Sequence, residues 1–202
     1  ANYGLEIGLF NKVTILAEYF EEHRKNIYME RQYIPETMGL TTSINSNFGE
    51  VKAKGIDISL DYNHAFSGDF YITARGNFTY STNEILVNGE PEYQNQNLSR
   101  IGQPINQQWG YIAERLFIDE EDIANSPEQF NGFGSTNTYL PGDIKYKDVN
   151  EDGVINQLDQ APIGKPYVPE IVYGFGFSAV YKSLDFSIFM QGAARTSFLI
   201  EP

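Results

Sequence analysis

The sequence predicts an all-β chain of antiparallel, up-and-down strands forming part of a transmembrane β-barrel. Three observations predict it. Apolar and polar residues alternate along most of the chain, with little at helical spacing. Three segments read as strands of about 16 residues, against ~5–6 for a strand in a globular protein and ~9–11 for a tilted strand crossing a bilayer. Tight turns alternate with long polar connections, the arrangement of outer-membrane barrels. A half-buried antiparallel sheet with one solvated face fits the alternation equally well. Strand length and loop asymmetry decide for the barrel.

Seven strands are expected. The first covers residues 3–10 and turns at Asn11-Lys12. The second covers 13–29, with Val13, Ile15, Ala17 and Tyr19 on one face and Thr14, Leu16, Glu18 and Phe20 on the other. A polar stretch, 30–47, leads to the third strand, 49–65, where Ile56, Ile58, Leu60 and Tyr62 alternate with Asp57, Ser59, Asp61 and Asn63. Residues 66–69 turn the chain into the fourth strand, 70–86, which sets Phe70, Ile72, Ala74, Phe78 and Tyr80 against Tyr71, Thr73, Arg75, Asn77 and Thr79. A Gln/Asn-rich loop, 87–107, precedes a fifth strand at 109–118. A long irregular segment, 119–169, then leads to strands at 171–181 and 184–194 that turn at Lys182-Ser183. The segment EEDIANSPEQF holds at most one short helical turn.

In a wide barrel the apolar set meets lipid, and Asp57, Asp61, Asn63, Arg75 and Asn77 line a wet lumen. Tyr19, Tyr62, Phe66, Phe70, Tyr80, Tyr173, Phe175, Phe177 and Tyr181 lie where interfacial girdles form. The 202 residues carry 14 Lys plus Arg against 27 Asp plus Glu, a net charge of −13. That balance argues against a nucleic-acid surface, which needs concentrated positive charge. The absence of cysteine excludes disulfides and thiolate metal sites. No run of about 18 apolar residues is present, so no transmembrane helix is expected. The chain opens in strand-like ANYGLEIGLF and ends at FLIEP without a turn, and both ends are expected to be cuts through something larger.

Residues 148–159, DVNEDGVINQLD, form the sharpest motif. Asp148, Asn150 and Asp152 alternate, and Gly153 follows where an EF-hand-type loop turns sharply. Val154 offers a carbonyl, Ile155 an apolar anchor, and Asn156 and Asp159 complete an oxygen shell suited to Ca2+, a hard cation. Position 12 carries Asp159 where the stronger EF-hand has Glu, and flanking helices are missing. The alternative is a turn cluster whose side chains cap their own backbone. Asp143 either adds a ligand or starts the turn. His23 and His64 stand alone and read as solvated or lumen residues. The run 119–122 reads as a solvated acidic loop. Trp109, Tyr111 and Tyr93 either stack on a sugar or anchor a loop. No catalytic constellation stands out, and an enzyme is not expected.

Residues 142–193, with their Gly-Asp pair, acidic loop, Ile-Gly-x-Pro step, Pro-Glu before Tyr-Gly-Phe and Phe-x-x-x-x-Gln-Gly ending, resemble the C-terminal barrel region of SusC/RagA-type TonB-dependent transporters of Bacteroidetes. The segment 47–63 resembles the family's N-x-G-x-x-x-N-K-G-x-E strand, with Ala53 where Asn is usual and Asp57 where Glu is usual. The resemblance implies a plugged barrel of about 22 strands, of which this chain, a single partial barrel domain over 1–202, supplies about seven. It lacks the plug, the TonB box and the closing strands. It also implies Gram-negative outer-membrane localisation, uptake of oligosaccharides or peptides, a SusD-like surface lipoprotein on the extracellular side and a TonB complex acting through the missing N-terminal region. The loop 119–169 is then extracellular. The runner-up is a soluble extracellular β-domain with a dockerin-like calcium loop serving adhesion or carbohydrate binding.

Overall fold

The computed structural model describes residues 1–31, 36–39, 42, 44–130 and 139–200. Parts of two expected loops, 32–35, 40, 41, 43 and 131–138, lie outside the described residues. Four strands come first: β1 (Asn2–Leu9), β2 (Val13–Glu30), β3 (Asn45–Ser67) and β4 (Phe70–Val87). The chain then leaves the sheet and builds a loop body from β5 (Gln108–Gly110), β6 (Ala113–Leu116), a short helix α1 (Glu120–Ala124), β7 (Glu128–Gln129), β8 (Ile144–Tyr146), β9 (Val154–Ile155) and β10 (Ala161–Ile163). It returns as β11 (Ile171–Tyr181) and β12 (Leu184–Ala194). The main sheet has the order β1-β2-β3-β4-β11-β12, every neighbour antiparallel.

Six long strands stand where seven are expected. The fifth expected strand, 109–118, is absent from the sheet because β11 occupies the edge of β4, pairing from Ile171↔Tyr80 to Tyr181↔Phe70. The segment instead breaks into β5, paired with β10, and β6, paired with β8. Between them Tyr111 turns away to pack against Phe130, with ring centroids 4.8 Å apart, and Tyr146, at 5.7 Å. Parity gives the same answer. A seventh strand between β4 and β11 would place the 119–169 loop at the tight-turn end; removing it sends every tight turn to one end and every long connection to the other.

The first turn is also shifted by one residue. Lys12 N–H donates to the Leu9 carbonyl at 3.0 Å, and Phe10 and Asn11 have φ of 54° and 53°. The central pair is therefore Phe10-Asn11 in a primed turn whose twist suits a hairpin. Lys182, φ 53°, opens the β11–β12 turn as expected.

Register sorts most side chains near the middle of the sheet, with Leu16 and Phe189 falling among the polar set. One face carries the rows Ile7–Ile15–Leu60–Gly76–Phe175–Met190 and Leu5–Ala17–Ile58–Phe78–Tyr173–Gly192. The other carries Asp61–Arg75–Gly176–Phe189 and Ser59–Asn77–Gly174–Gln191. The apolar face ends at the long-loop end on a row containing Tyr3, Tyr19 and Tyr80. At the turn end it closes on His64, Phe66, Phe70 and Tyr181, with successive ring centroids 4.1, 5.1 and 6.1 Å apart. His64 thus belongs to the apolar face and not to a lumen. Phe175 and Phe177 sit between the two aromatic rows rather than in a girdle. From Phe70 to Tyr80 β4 runs about 34 Å at ~3.4 Å per residue, which a tilt of ~40° projects to about 25 Å, the height of an outer-membrane apolar band.

The polar face is not uniformly polar. Phe20 lies across Gly55, where an added Cβ would stand 2.5 Å from the Phe20 ring and 2.4 Å from the Tyr80 carbonyl oxygen. Backbone cannot yield cheaply there. Gly55→Ala is expected to lower barrel stability by about 1–3 kcal/mol, read as the midpoint of urea unfolding of the full-length protein. Gly8→Ala, which meets nothing within 4 Å, is expected to leave that midpoint unchanged.

Candidate functional site

The residues that are almost wholly buried lie mainly in the loop body. Ile155 and Asp159 are fully buried, Gln129 is 1% exposed and Phe117 3% exposed. Gln129 ties three strands together. Its Nε2 donates to the Ile144 carbonyl at 3.1 Å, its Oε1 accepts from Tyr146 N–H at 2.7 Å, and its backbone pairs with Ile155 in the parallel β7–β9 ladder. Tyr139 donates its hydroxyl to the Gln129 carbonyl. Ile155 is thus the anchor by which the 148–159 loop is plugged into the loop body.

The loop itself is shaped by its own side chains. Asp148 accepts from Glu151 N–H and Gly153 N–H, both at 2.7 Å. Asn150 Oδ1 accepts from Asp152 N–H at 3.0 Å, and Asn150 Nδ2 donates to Asp152 Oδ2 at 2.9 Å. Asp152 Oδ1 accepts from Val154 N–H at 2.9 Å. Gly153 takes φ 85°, a left-handed turn open to glycine. Asp159 closes the loop from the far side, accepting from Val149 N–H at 2.9 Å, Asn150 N–H at 3.3 Å and Asn156 N–H at 2.8 Å, while Asn156 caps Leu158 at 2.8 Å. Among the described residues no three His, Cys, Asp or Glu side chains gather as a metal cluster, so any cation held here would lean on Asn150 and Asn156 and on the Val154 carbonyl as well. Asp143 accepts from Leu140 N–H at 2.9 Å and so starts a turn.

Half of the acidic run 119–122 has structural work. Asp119 caps α1 by accepting from Asp122 N–H at 2.8 Å. Asp122 faces the Arg115 guanidinium and stands 3.6 Å from Lys145 Nζ. The Arg115 guanidinium and then Ile118 N–H hold the Asp122 carboxyl well below the usual carboxylate range. Of the three aromatics weighed for stacking, Tyr111 is a loop anchor, Trp109 pairs through its backbone with Pro162, and Tyr93 lines a shallow recess with Glu90 and Gln96. His23 lies 2.9 Å from Glu50.

The five residues assigned to a lumen share one face, and four of them are tied across strands. Arg75 Nε is 3.1 Å from Asp61 Oδ1, Thr79 donates to Asp57 at 3.2 Å and Tyr71 donates to Asn63 at 3.3 Å. On the apolar face the change beyond the tyrosine row is abrupt. The next pairs are Glu21↔Lys54, His23↔Lys52 and Lys52↔Glu84, with Lys52 Nζ 2.7 Å from Glu21.

Two structural carboxylates escape sequence reading. Glu90 gathers Ser99 Oγ at 2.5 Å and Arg100 N–H at 3.0 Å, folding the start of the loop. Glu170, of the Pro-Glu motif, is 8% exposed and bonds Arg195 Nε at 2.5 Å, while Arg195 sits 5.8 Å over the Tyr80 ring. Only the Pro-Glu spacing hinted at the second; nothing local marked the first.

No family model matches the sequence. Two curated proteins of Formosa agariphila are similar to it: TonB-dependent receptor P26, 25% identical over 93% of this chain, and TonB-dependent receptor P3, 24% identical over 97%. The chain spans about a fifth of the length of these relatives, 19% and 20%. Among solved structures it is similar to the RagAB peptide importer in its open-open state, with TM-score 0.70 and 18% identity over 96% of this chain and 20% of that one. The closed-closed state gives TM-score 0.64 and 22% identity over 96% of this chain and 21% of that one. The fold is that of an open wall segment of a TonB-dependent transporter barrel, and the chain is similar to SusC/RagA-type transporters. The curated relatives are named as receptors, and the solved neighbours are described as a peptide importer.

A carboxylate whose folded-state pKa is depressed stabilises above its unfolded value, about 3.9 for Asp, and that contribution is lost as pH falls toward the folded value. Hydrogen exchange in residues 113–126 is expected to be constant from pH 7 to about 5, after correction for intrinsic rates, and to accelerate below about 4. Asp122→Asn should abolish that acid step. Loosening already at pH 6 would contradict the Asp122–Arg115 assignment.

Proposed function

We propose that this chain is part of the wall and outer loops of a SusC-like nutrient importer in a Gram-negative outer membrane. The observation that carries the reading is the continuous apolar face across six strands, bounded by aromatic rows about 25 Å apart and replaced at once by charge beyond the Tyr19–Tyr80 row. Phe175, Phe186 and Leu5 on that face are each at least half exposed. Water disfavours such a face; lipid accepts it, provided every strand is paired. The long-loop end is then extracellular, and the residues beyond the tyrosine row meet headgroups. A SusD-like surface lipoprotein covers that end. A TonB complex acts through an N-terminal region outside this chain, and the cargo is an oligosaccharide or a peptide. The RagAB structures, described as a peptide importer, support this class of assembly. The soluble alternative leaves the apolar face without a cover.

Charge placed on each face tests the reading. In the full-length protein Leu60→Lys, at mid-band on the apolar face, is expected to cost about 2–4 kcal/mol and to reduce folded, heat-modifiable barrel in outer-membrane fractions. Thr14→Lys, on the polar face opposite Asp61, is expected to fold normally. Equal tolerance of both would sink the membrane reading.

The 148–159 loop is proposed to take Ca2+ through Asp148, Asn150, Asp152, the Val154 carbonyl, Asn156 and Asp159. Each carboxylate oxygen has two lone-pair directions, so capping a backbone N–H leaves room for a cation. The ion would tie the two halves of the loop together and stiffen the loop body, a clip rather than a sensor. Calcium titration of the full-length protein is expected to show one ion fewer bound in Asp148→Ala/Asp152→Ala; equal metal content in both proteins would refute the site.

A further inference from the structure

Just beyond the Tyr19–Tyr80 row, on the side of the sheet that carries the apolar face, lies a recess of about 310 Å³ lined by Lys52, Lys54, Thr82, Glu84, Pro104 and Glu170. Closing the barrel encloses the polar face and leaves this side outside. The strands that floor the recess, β3 and β4, have β2 and β11 as neighbours, and past the start of β11 the segment Gly102-Gln103 bonds to Ile85 in its place. Most charges around the recess are matched. Lys52 Nζ stands 2.7 Å from Glu21, which also accepts from the Tyr19 hydroxyl at 3.2 Å. Glu170 is taken up by Arg195 at 2.5 Å. Lys54 and Glu84, both exposed, are left over. Glu21 faces Lys54 in register but is drawn to Lys52, and Thr82 faces Lys54 from the other strand. Glu84 lies two residues further along β4, a diagonal of ~7–8 Å from Lys54. Among the described residues neither of the two makes an ion pair. Toward mid-band the same side continues as Ile56 and Ile58, both exposed.

We propose that this recess seats the headgroup of one zwitterionic lipid, a phosphate joined to a primary ammonium, on the outer side of the wall. The proposal rests on the membrane reading and adds to it a bound lipid and its place. One cation and one anion without partners, set diagonally across a recess, match a head that carries both signs. Lys54 and the Thr82 hydroxyl donate to the phosphate, and Glu84 accepts from the ammonium. A phosphate with no amine would bring its charge against Glu84 unanswered. A quaternary amine has no N–H to give Glu84. The acyl chains then run over Ile56 and Ile58, about 7 and 14 Å from Lys54 along the strand at ~3.4 Å per residue. Head and tail contacts thus adjoin on one strand, which selects an amphiphile over a free headgroup. Basic recesses at the headgroup level are the usual seats of bound lipid; here the acid beside the base narrows the class.

Lipid retention tests the site. The full-length protein in mild detergent is titrated with dioleoyl phosphatidylethanolamine, phosphatidylglycerol or phosphatidylcholine, and bound lipid is counted by native mass spectrometry. We expect one phosphatidylethanolamine held more tightly than either other lipid and not displaced by an equal concentration of free phosphoethanolamine. Lys54→Ala and Glu84→Gln should each weaken it about fivefold, as loss of ~1 kcal/mol requires. Glu84→Lys should turn the preference toward phosphatidylglycerol. Lys12→Ala, in the β1–β2 turn at the opposite end of the sheet, should change nothing. Equal retention of the three lipids, displacement by the free headgroup, or wild-type binding in both Lys54→Ala and Glu84→Gln would each overturn the inference. A wild-type protein that gives no heat-modifiable barrel would overturn the membrane reading itself, and the lipid site with it.

Discussion

Side chains on a paired strand must alternate between two faces, and in this sheet all six strands place most of their apolar residues on the same one. A slip of one residue between any two neighbours would carry a whole set to the wrong side. Register is therefore the constraint on which the rest depends. The tight turns set it at one end, and pairs such as Tyr173 with Gly192 hold it along the strands. There the tyrosine ring lies over the glycine and fills the place a Cβ would take. A bulge at Lys25-Asn26 adjusts β2 only after the strand has passed the tyrosine row, where apolar alternation no longer matters.

The two halves of the molecule are held by different physics. The wall has almost no buried side chains, and its order comes from ladders of backbone hydrogen bonds and from what surrounds it. The loop body carries a small core of its own, and much of that core is polar. Gln129 and Asp159 are buried because each satisfies several backbone groups that short, irregular strands leave unpaired. Glu170 and Arg195 join the two regimes, fixing the return of the chain into β11 beside Tyr80.

The strands were legible because period-two patterning is strong in long segments: the apolar set Ile56, Ile58, Leu60 and Tyr62 is the set observed. The fifth strand misled because Trp109 to Ile118 has the composition of a strand, while the partner that excludes it, β11, lies far away in sequence. Phe10 reads as the last residue of its strand, because a bulky residue rarely takes positive φ. The 148–159 loop was legible as a turn-rich oxygen cluster, and its anchor Ile155 was found. Its dependence on Gln129 was not, since nothing local marks a glutamine that will bridge three strands.

β4 and β11 are neighbours in the sheet, Ile171 pairing with Tyr80, although roughly eighty residues lie between Val87 and Ile171. Closing so long a loop costs about 2–3 kcal/mol more than closing a tight turn, because the penalty grows only with the logarithm of length. Part of that cost falls away if the intervening segment folds first, since β5 pairs with β10 and Asn97 reaches Leu158 and Gln160, drawing distant parts of the loop together. A loop body that folded first would thus bring the start of β11 to the free edge of β4.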